Sequence, residues 1–364
     1  MQNINYCQSC KTSEKREECR LCGEKSKPEL QNSGTFQEKT REIKILGKDI
    51  TVKNYICSPD GKSYKEKPEN IRLQLFVNML TFCPASCRFC VAKNTKKNKK
   101  IDIDKFISVM KLLKAEDRIR GIKITGGEPF YDIDLLNEVI SAIYDIFGYE
   151  MEVAISTNGI GLENLKKIKD LEHIEAIHLS RHHYDDDVNR EIFGDITCHF
   201  PVLPNEGKEA LQVKDCSIRI PDRKSLKDIV DSVSYKDIFV LNCVLLKNYI
   251  NSPKEAHKYM DFAIDIGVPK VGFMTCSPVN GYAKEQTVPY EAVIKEDDLA
   301  LLFTRGFYDY DYCHCSDGVY SSEKGGIVEF YGKSTKMEDY AYCRGLVYDA
   351  DDHLKDGFGG NVIL

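Results

Sequence analysis

Cys83-Pro84-Ala85-Ser86-Cys87-Arg88-Phe89-Cys90 places three thiols on one short stretch of chain. Thiolates this close can hold a cubane iron–sulfur cluster, which ordinarily takes four cysteines. With three local ligands, one iron keeps an open coordination position, and an open metal position is where substrate or cofactor chemistry occurs. Structural zinc with a distant fourth ligand is the alternative reading of the same spacing. Two later segments add chemistry-bearing groups. Thr125-Gly126-Gly127-Glu128-Pro129 joins two glycines, which let backbone approach a ligand closely, to a carboxylate suited to an ammonium group. Ser156-Thr157-Asn158-Gly159 offers hydroxyls and an amide suited to a ribose or a carboxylate, although Asn-Gly is also an ordinary turn pair.

The chain holds 15 cysteines in 364 residues, and spacing sorts most of them. Cys7-x2-Cys10 and Cys19-x2-Cys22 form two facing knuckles able to build a tetrahedral thiolate site. Zinc is the leading metal, with rubredoxin-type iron or an iron–sulfur cluster as alternatives. A structural role is expected, because about 30 residues cannot build a core of their own. Cys313, His314, Cys315 and Cys343, with Cys276 as an optional member, form a third group, for which an auxiliary cluster, a zinc site using His314, a reactive thiol and inert packing all stay open. Cys57, Cys198 and Cys216 have no partner spacing.

Net charge is −6, which argues against a protein that coats nucleic acid mainly through charge. Residues 1–30 carry six Lys/Arg against five Asp/Glu, so the knuckle gives little support to nucleic-acid binding either. No apolar run approaches the ~20 residues of a membrane span, and the N-terminus lacks the basic start and apolar stretch of a secretory signal. A cytoplasmic, reducing setting is therefore expected, where clustered cysteines mean metal or redox chemistry more often than disulfides.

The elements that must position these residues are legible from residue 71 onward. Strand patterns at Ile71–Asn78, Gly121–Thr125, Glu152–Ser156, Ile174–Ser180, Ile238–Leu245 and Lys270–Thr275 alternate with helical patterns. The helices are expected at Asp102–Ala115, Asp132–Phe147, Leu162–Lys169, Ser225–Ser234 and Pro253–Ile266. This alternation argues an α/β fold, a partial (β/α)6 TIM-like barrel rather than a closed eight-stranded one. The expected organisation is a four-cysteine, zinc-ribbon-like module over 1–30, a small β linker over 31–70, the barrel core over 71–280, and a C-terminal α+β extension over 281–364. In such barrels the active site lies at the carboxyl ends of the strands, and Cys83–Cys90, Gly126–Glu128 and Ser156–Asn158 each follow a strand.

Taken in order, the CxxxCxxC loop with Phe89 before its last cysteine, the Gly-Gly-Glu turn and the Ser-Thr-Asn-Gly segment resemble the radical S-adenosylmethionine (SAM) superfamily. Leu241–Asn251 resembles the fifth-strand region of its molybdenum-cofactor-enzyme and peptide-maturase group. His178-Leu179-Ser180-Arg181 is a looser match to that group's fourth-strand segment. The resemblance implies a [4Fe-4S] cluster on Cys83, Cys87 and Cys90, with SAM bound at its open iron and cleaved to a 5′-deoxyadenosyl radical. It implies that Gly126, Gly127 and Glu128 hold the methionyl ammonium. Ser156, Asn158, Ser180 and Asn242 become candidate ribose and carboxylate contacts, and Arg181 could neutralise a carboxylate. A flavodoxin- or ferredoxin-type electron donor and a peptide or small-molecule substrate follow. A second [4Fe-4S] cluster on Cys313, Cys315 and Cys343 is an open expectation, since the CxC spacing departs from the CxxC of the cyclic-pyranopterin-forming member. The alternatives are a pterin-precursor nucleotide cyclase, an RNA-modifying enzyme, or an idle barrel serving a zinc-ribbon binding protein. His182 and His183 are candidate acid/base groups, and the basic run 93–100 could steer an acidic partner.

Overall fold

The computed structural model describes residues 35–58, 72–90, 99–196, 219–234, 238–289 and 345–364, with shorter pieces inside 5–28 and 292–331. Six strands form its centre: β1 (Leu73–Asn78), β2 (Ile119–Thr125), β3 (Glu152–Thr157), β4 (Ala176–Ser180), β5 (Phe239–Leu245) and β6 (Lys270–Thr275). Each is hydrogen-bonded in parallel to its sequence neighbour. Leu75, Val77, Ile122, Ile124, Val153 and Ile155 project to the helical side and belong to one continuous core. The intervening Ala154, Ser156, His178 and Ser180 keep partial exposure on the opposite, inner face. Period-two alternation thus leaves an inner surface that is small and polar, open to a ligand rather than packed shut.

Five of the connecting helices start where a short polar side chain caps them. Asp102 caps α1 (Ile103–Glu116), Asp132 caps α2 (Ile133–Phe147) and Asp185 caps α3 (Asp186–Phe193). Asp222 caps α4 (Arg223–Asp231) and Asn280 caps α6 (Gly281–Gln286). Each carboxylate or amide oxygen accepts from backbone N–H groups of the first turn, satisfying donors that have no intrahelical partner. Pro253 opens α5 (Pro253–Asp265), where its missing N–H costs nothing. The expected helix at 162–169 is instead a 3-10 segment, Leu162–Lys167. It begins at Gly161 with φ +81° and no capping side chain, and the chain turns extended at Ile168, before the expected end.

The C-terminal region does not stand apart. Strands β7 (Ala300–Phe307), β8 (Tyr312–His314), β9 (Asp317–Ser321), β10 (Ile327–Tyr331), β11 (Gly345–Tyr348) and β12 (Leu354–Lys355) join the same sheet. Its order is β8-β7-β9-β10-β6-β5-β4-β3-β2-β1-β11-β12. β10 lies parallel to β6 and β11 parallel to β1, so the chain's end extends both edges of the open barrel. Ahead of the barrel, Thr35–Ile45 and Lys48–Ser58 form a hairpin whose turn, Leu46 and Gly47, has φ +48° and +76°. This is a type I′ turn, and the hairpin's Ile43, Ile45, Ile50 and Val52 join the main core. Strands Asn5–Cys7, Thr12–Glu14 and Lys27–Pro28 make a small antiparallel ribbon, with Cys7 paired to Thr12.

Candidate cluster and cofactor site

The cysteine loop leaves β1 and is held at many points. The Ser86 N–H donates to Phe193 O at 2.9 Å, and Arg88 O accepts from Asn280 Nδ2 at 3.1 Å. The Arg88 guanidinium lies 4.1 Å from the centroid of the Tyr282 ring. Cys87 packs against Ile160, Phe193 and Ile220, and Phe89 against Ile192, Leu246, Cys276 and Ala283. Helices α3 and α6 therefore clamp the loop from the far side of the barrel. Cys83, Cys87 and Cys90 are each partly buried and free of disulfides. Burial, then the neighbouring Glu128 carboxylate, push the Cys83 thiol up to about 12. A metal in the proton's place would stabilise the thiolate form of that sulfur. Among the described residues, no three His, Cys, Asp or Glu side chains are grouped to hold a single metal ion. Three half-buried thiols on one pinned loop are a donor set of the kind an iron–sulfur cluster takes.

The Gly-Gly-Glu turn after β2 is fitted to the protein itself. A Cβ at Gly126 would stand 2.6 Å from Asn78 Cα, and one at Gly127 would stand 1.9 Å from Phe82 O. Both glycines have positive φ, +85° and +54°. The close approach they permit is to β1 and the root of the cysteine loop, where Glu128 N donates to Phe82 O at 2.9 Å. Glu128 is fully buried. Its Oε1 accepts from Phe130 N at 3.1 Å and from Thr157 Oγ1 at 2.6 Å, and its Oε2 from Asn158 N at 2.6 Å. Burial raises its carboxyl to about 7 against the pull of those donors. The side chain expected to meet an ammonium group is instead a strut tying the β2 loop to the β3 loop. Thr157, its partner, is a residue that sequence reasoning passed over. Asn158 completes the chain of contacts, its Nδ2 donating to Cys83 Sγ at 3.4 Å.

Three segments read separately in the sequence are thus one hydrogen-bonded unit at the carboxyl ends of β1, β2 and β3. Residues 77–197 match the Radical SAM superfamily. Over that stretch the chain matches a radical SAM domain. A curated relative, "Probable GTP 3',8-cyclase" of Sulfurisphaera tokodaii, is 28% identical over 229 residues. That match takes in 61% of this chain and 63% of the relative, so the chain spans less than two thirds of its length. Among solved structures, Streptococcus suis SuiB bound to S-adenosylmethionine overlaps with a TM-score of 0.47 at 15% identity, covering 79% of this chain and 60% of that one. Hexahistidine-tagged anSMEcpe with bound AdoMet gives 0.40 at 13%, covering 58% and 55%.

Across the radical SAM domain from the cysteine loop, Ser180 ends β4 beside Asn242 of β5. Asn242 Nδ2 lies 3.1 Å from His178 Nδ1, while its buried Oδ1 has no hydrogen-bond partner among the described residues. Ser156 of β3 sits opposite His178 in register, so Ser156, Ser180 and Asn242 share one patch of the inner face. Arg181 does not join them. Its guanidinium, 1% exposed, donates from Nε to His183 O at 2.9 Å and from Nη1 to Pro221 O at 3.0 Å. It also pairs with Asp186 and lies 4.7 Å from the centroid of the Phe262 ring. The expected carboxylate-neutralising arginine is a buried staple for the β4–α3 turn.

His182 is likewise removed from acid/base work. Burial, then Arg181, hold its imidazole down to about 3, and Nδ1 accepts from Val244 N at 3.2 Å. The ring is therefore the neutral Nε2–H tautomer, edge-on to Phe89 with centroids 5.1 Å apart. His183 is also lowered, first by burial, with Nδ1 accepting from Asp185 N at 3.0 Å. Cys243 is buried and raised by that burial, and Cys276 is buried behind Phe89. Cys10, Cys19, Cys22, Cys198, Cys216, Cys315, Cys343 and most of the basic run lie outside the described residues, and Cys7, Cys57 and Cys313 enter only as strand backbone.

Proposed function

We propose that this chain is a radical SAM enzyme whose [4Fe-4S] cluster is held by Cys83, Cys87 and Cys90. The observation that carries the reading is the continuous path Glu128–Thr157–Asn158–Cys83, which joins the cysteine loop to the two loops beside it. The chemistry a reduced cluster supplies is one-electron cleavage of SAM to methionine and a 5′-deoxyadenosyl radical that takes a substrate hydrogen. The chain's part is placement. The backbone of Gly126 and Gly127, with Ser156, Ser180 and Asn242, would orient SAM on the inner face. Phe89, Phe193 and the neutral His182 stack into an aromatic cluster against one side of the loop. A flavodoxin- or ferredoxin-type protein would deliver the electron in the cytoplasm, and the substrate would be a peptide or small metabolite. Zinc is proposed for Cys7, Cys10, Cys19 and Cys22, and iron, sulfide and zinc assays on one sample count both metals and any second cluster. No helix among the described residues is long and apolar enough to cross a membrane.

Anaerobically reconstituted chain should form 5′-deoxyadenosine from SAM with dithionite, and Cys87→Ala should not; equal production by both would sink the assignment. The relative named as a GTP 3',8-cyclase supports a second reading, cyclisation of a purine nucleotide. GTP that fails to raise 5′-deoxyadenosine above the substrate-free rate would eliminate it.

A further inference from the structure

Asn158 belongs by motif among the expected SAM contacts, but both ends of its side-chain amide are engaged inside the protein. Oδ1 accepts from Ile160 N at 2.9 Å, Nδ2 donates to Cys83 Sγ at 3.4 Å, and the residue is 8% exposed. The amide cannot be turned over: Nδ2 would then face the Ile160 N–H, donor against donor, and Oδ1 would face the sulfur, acceptor against acceptor. Its backbone is also held, because Asn158 N donates to Glu128 Oε2, and Glu128 is fixed by Thr157 Oγ1 and Phe130 N. A donor is therefore aimed at one ligand sulfur by a preorganised network.

We propose that Asn158 is a positioning residue that raises the reduction potential of the cluster through an N–H···S hydrogen bond to Cys83, and that it does not bind SAM. The inference rests on the radical SAM reading above. A reduced cluster carries one more negative charge than an oxidised one, shared with its thiolate sulfurs. A hydrogen-bond donor at a ligand sulfur stabilises that added charge, so it favours the reduced state. The buried setting strengthens the effect, since little water competes for the sulfur. For a reaction that begins by placing an electron on the cluster, the consequence is easier reduction by the physiological donor.

The test is an EPR-monitored redox titration of the anaerobically reconstituted full chain without SAM, for wild type, Asn158→Asp and Asn158→Ala. Alanine removes the donor without adding charge, and aspartate keeps the volume and the acceptor for Ile160 N–H while placing a carboxylate at the sulfur, so together they separate loss of the turn from loss of the hydrogen bond. At the wild-type midpoint, the reduced-to-oxidised ratio should fall about tenfold in Asn158→Ala, a midpoint lower by about 59 mV for a one-electron couple, and by more in Asn158→Asp. SAM affinity of the oxidised Asn158→Ala protein, measured by equilibrium dialysis, should stay within about twofold of wild type. Unchanged midpoints in both variants overturn the proposal, as does a large loss of SAM affinity at an unchanged midpoint. A wild-type chain that assembles no cluster overturns the parent reading and this one with it.

Discussion

Alanine at position 127 should dislodge the root of the cysteine loop. The new Cβ would meet Phe82 O at 1.9 Å and both Phe82 C and Leu80 Cδ1 at 2.7 Å, on a backbone with φ +54°. The Phe82 carbonyl must retreat, and with it goes its hydrogen bond from Glu128 N. The left-handed backbone costs an L-residue about 1–2 kcal/mol. Displacing packed backbone adds about 1–3 kcal/mol, and a broken buried hydrogen bond about 1 kcal/mol. Together Gly127→Ala should destabilise the metal-free chain by roughly 3–6 kcal/mol. Gly47 supplies the comparison, having φ +76° but no heavy atom within 4 Å of its would-be Cβ. Gly47→Ala should therefore cost only the backbone part, about 1–2 kcal/mol. Urea unfolding of both variants reads the difference, and iron per chain after reconstitution reads the loop. If Gly127→Ala were no more destabilising than Gly47→Ala and still took up full iron, the reasoning from steric fit would be wrong.

His182 makes stability depend on pH in a definite direction. Its folded value of about 3 lies below the ordinary 6.5, so the unfolded chain binds a proton first as pH falls. Stability is full above about 6.5 and declines toward 3, by at most roughly 5 kcal/mol at about 1.36 kcal/mol per pH unit. His182→Asn, which retains an acceptor for Val244 N, should flatten that slope; an unaltered slope assigns it to other groups. Arg181→Lys loses the fork that reaches His183 O, Pro221 O and Asp186 at once. It should destabilise by about 2–4 kcal/mol, visible as a lower urea midpoint, while SAM affinity of the folded protein holds. A tenfold weaker SAM complex with unchanged stability would return Arg181 to the cofactor site.

The barrel was legible because its signals are local. Strands β1 to β6 announce themselves by alternation, and Asp102, Asp132 and Asp222 mark helix starts by cap chemistry. The pairing of β11 with β1 and of β10 with β6 leaves no such trace, because it joins segments distant in the chain through backbone bonds that specify no residue type. The same limit applies to Leu162–Lys167, where the chain turns extended at Ile168 despite a helical pattern.

Residue identity and spacing alone put Cys83, Cys87 and Cys90 on one loop and three motifs at the ends of three consecutive strands, since chemistry and strand order are both written along the chain. Only the tertiary structure decided which polar groups remain for a ligand. Glu128, Asn158 and Arg181 carry the right chemistry for a cofactor, yet each is buried among protein donors or acceptors that satisfy it. Asn242 presents a buried acceptor with no partner among the described residues. Burial and partnership depend on what distant segments bring alongside, and a buried polar group takes whichever partner the fold supplies.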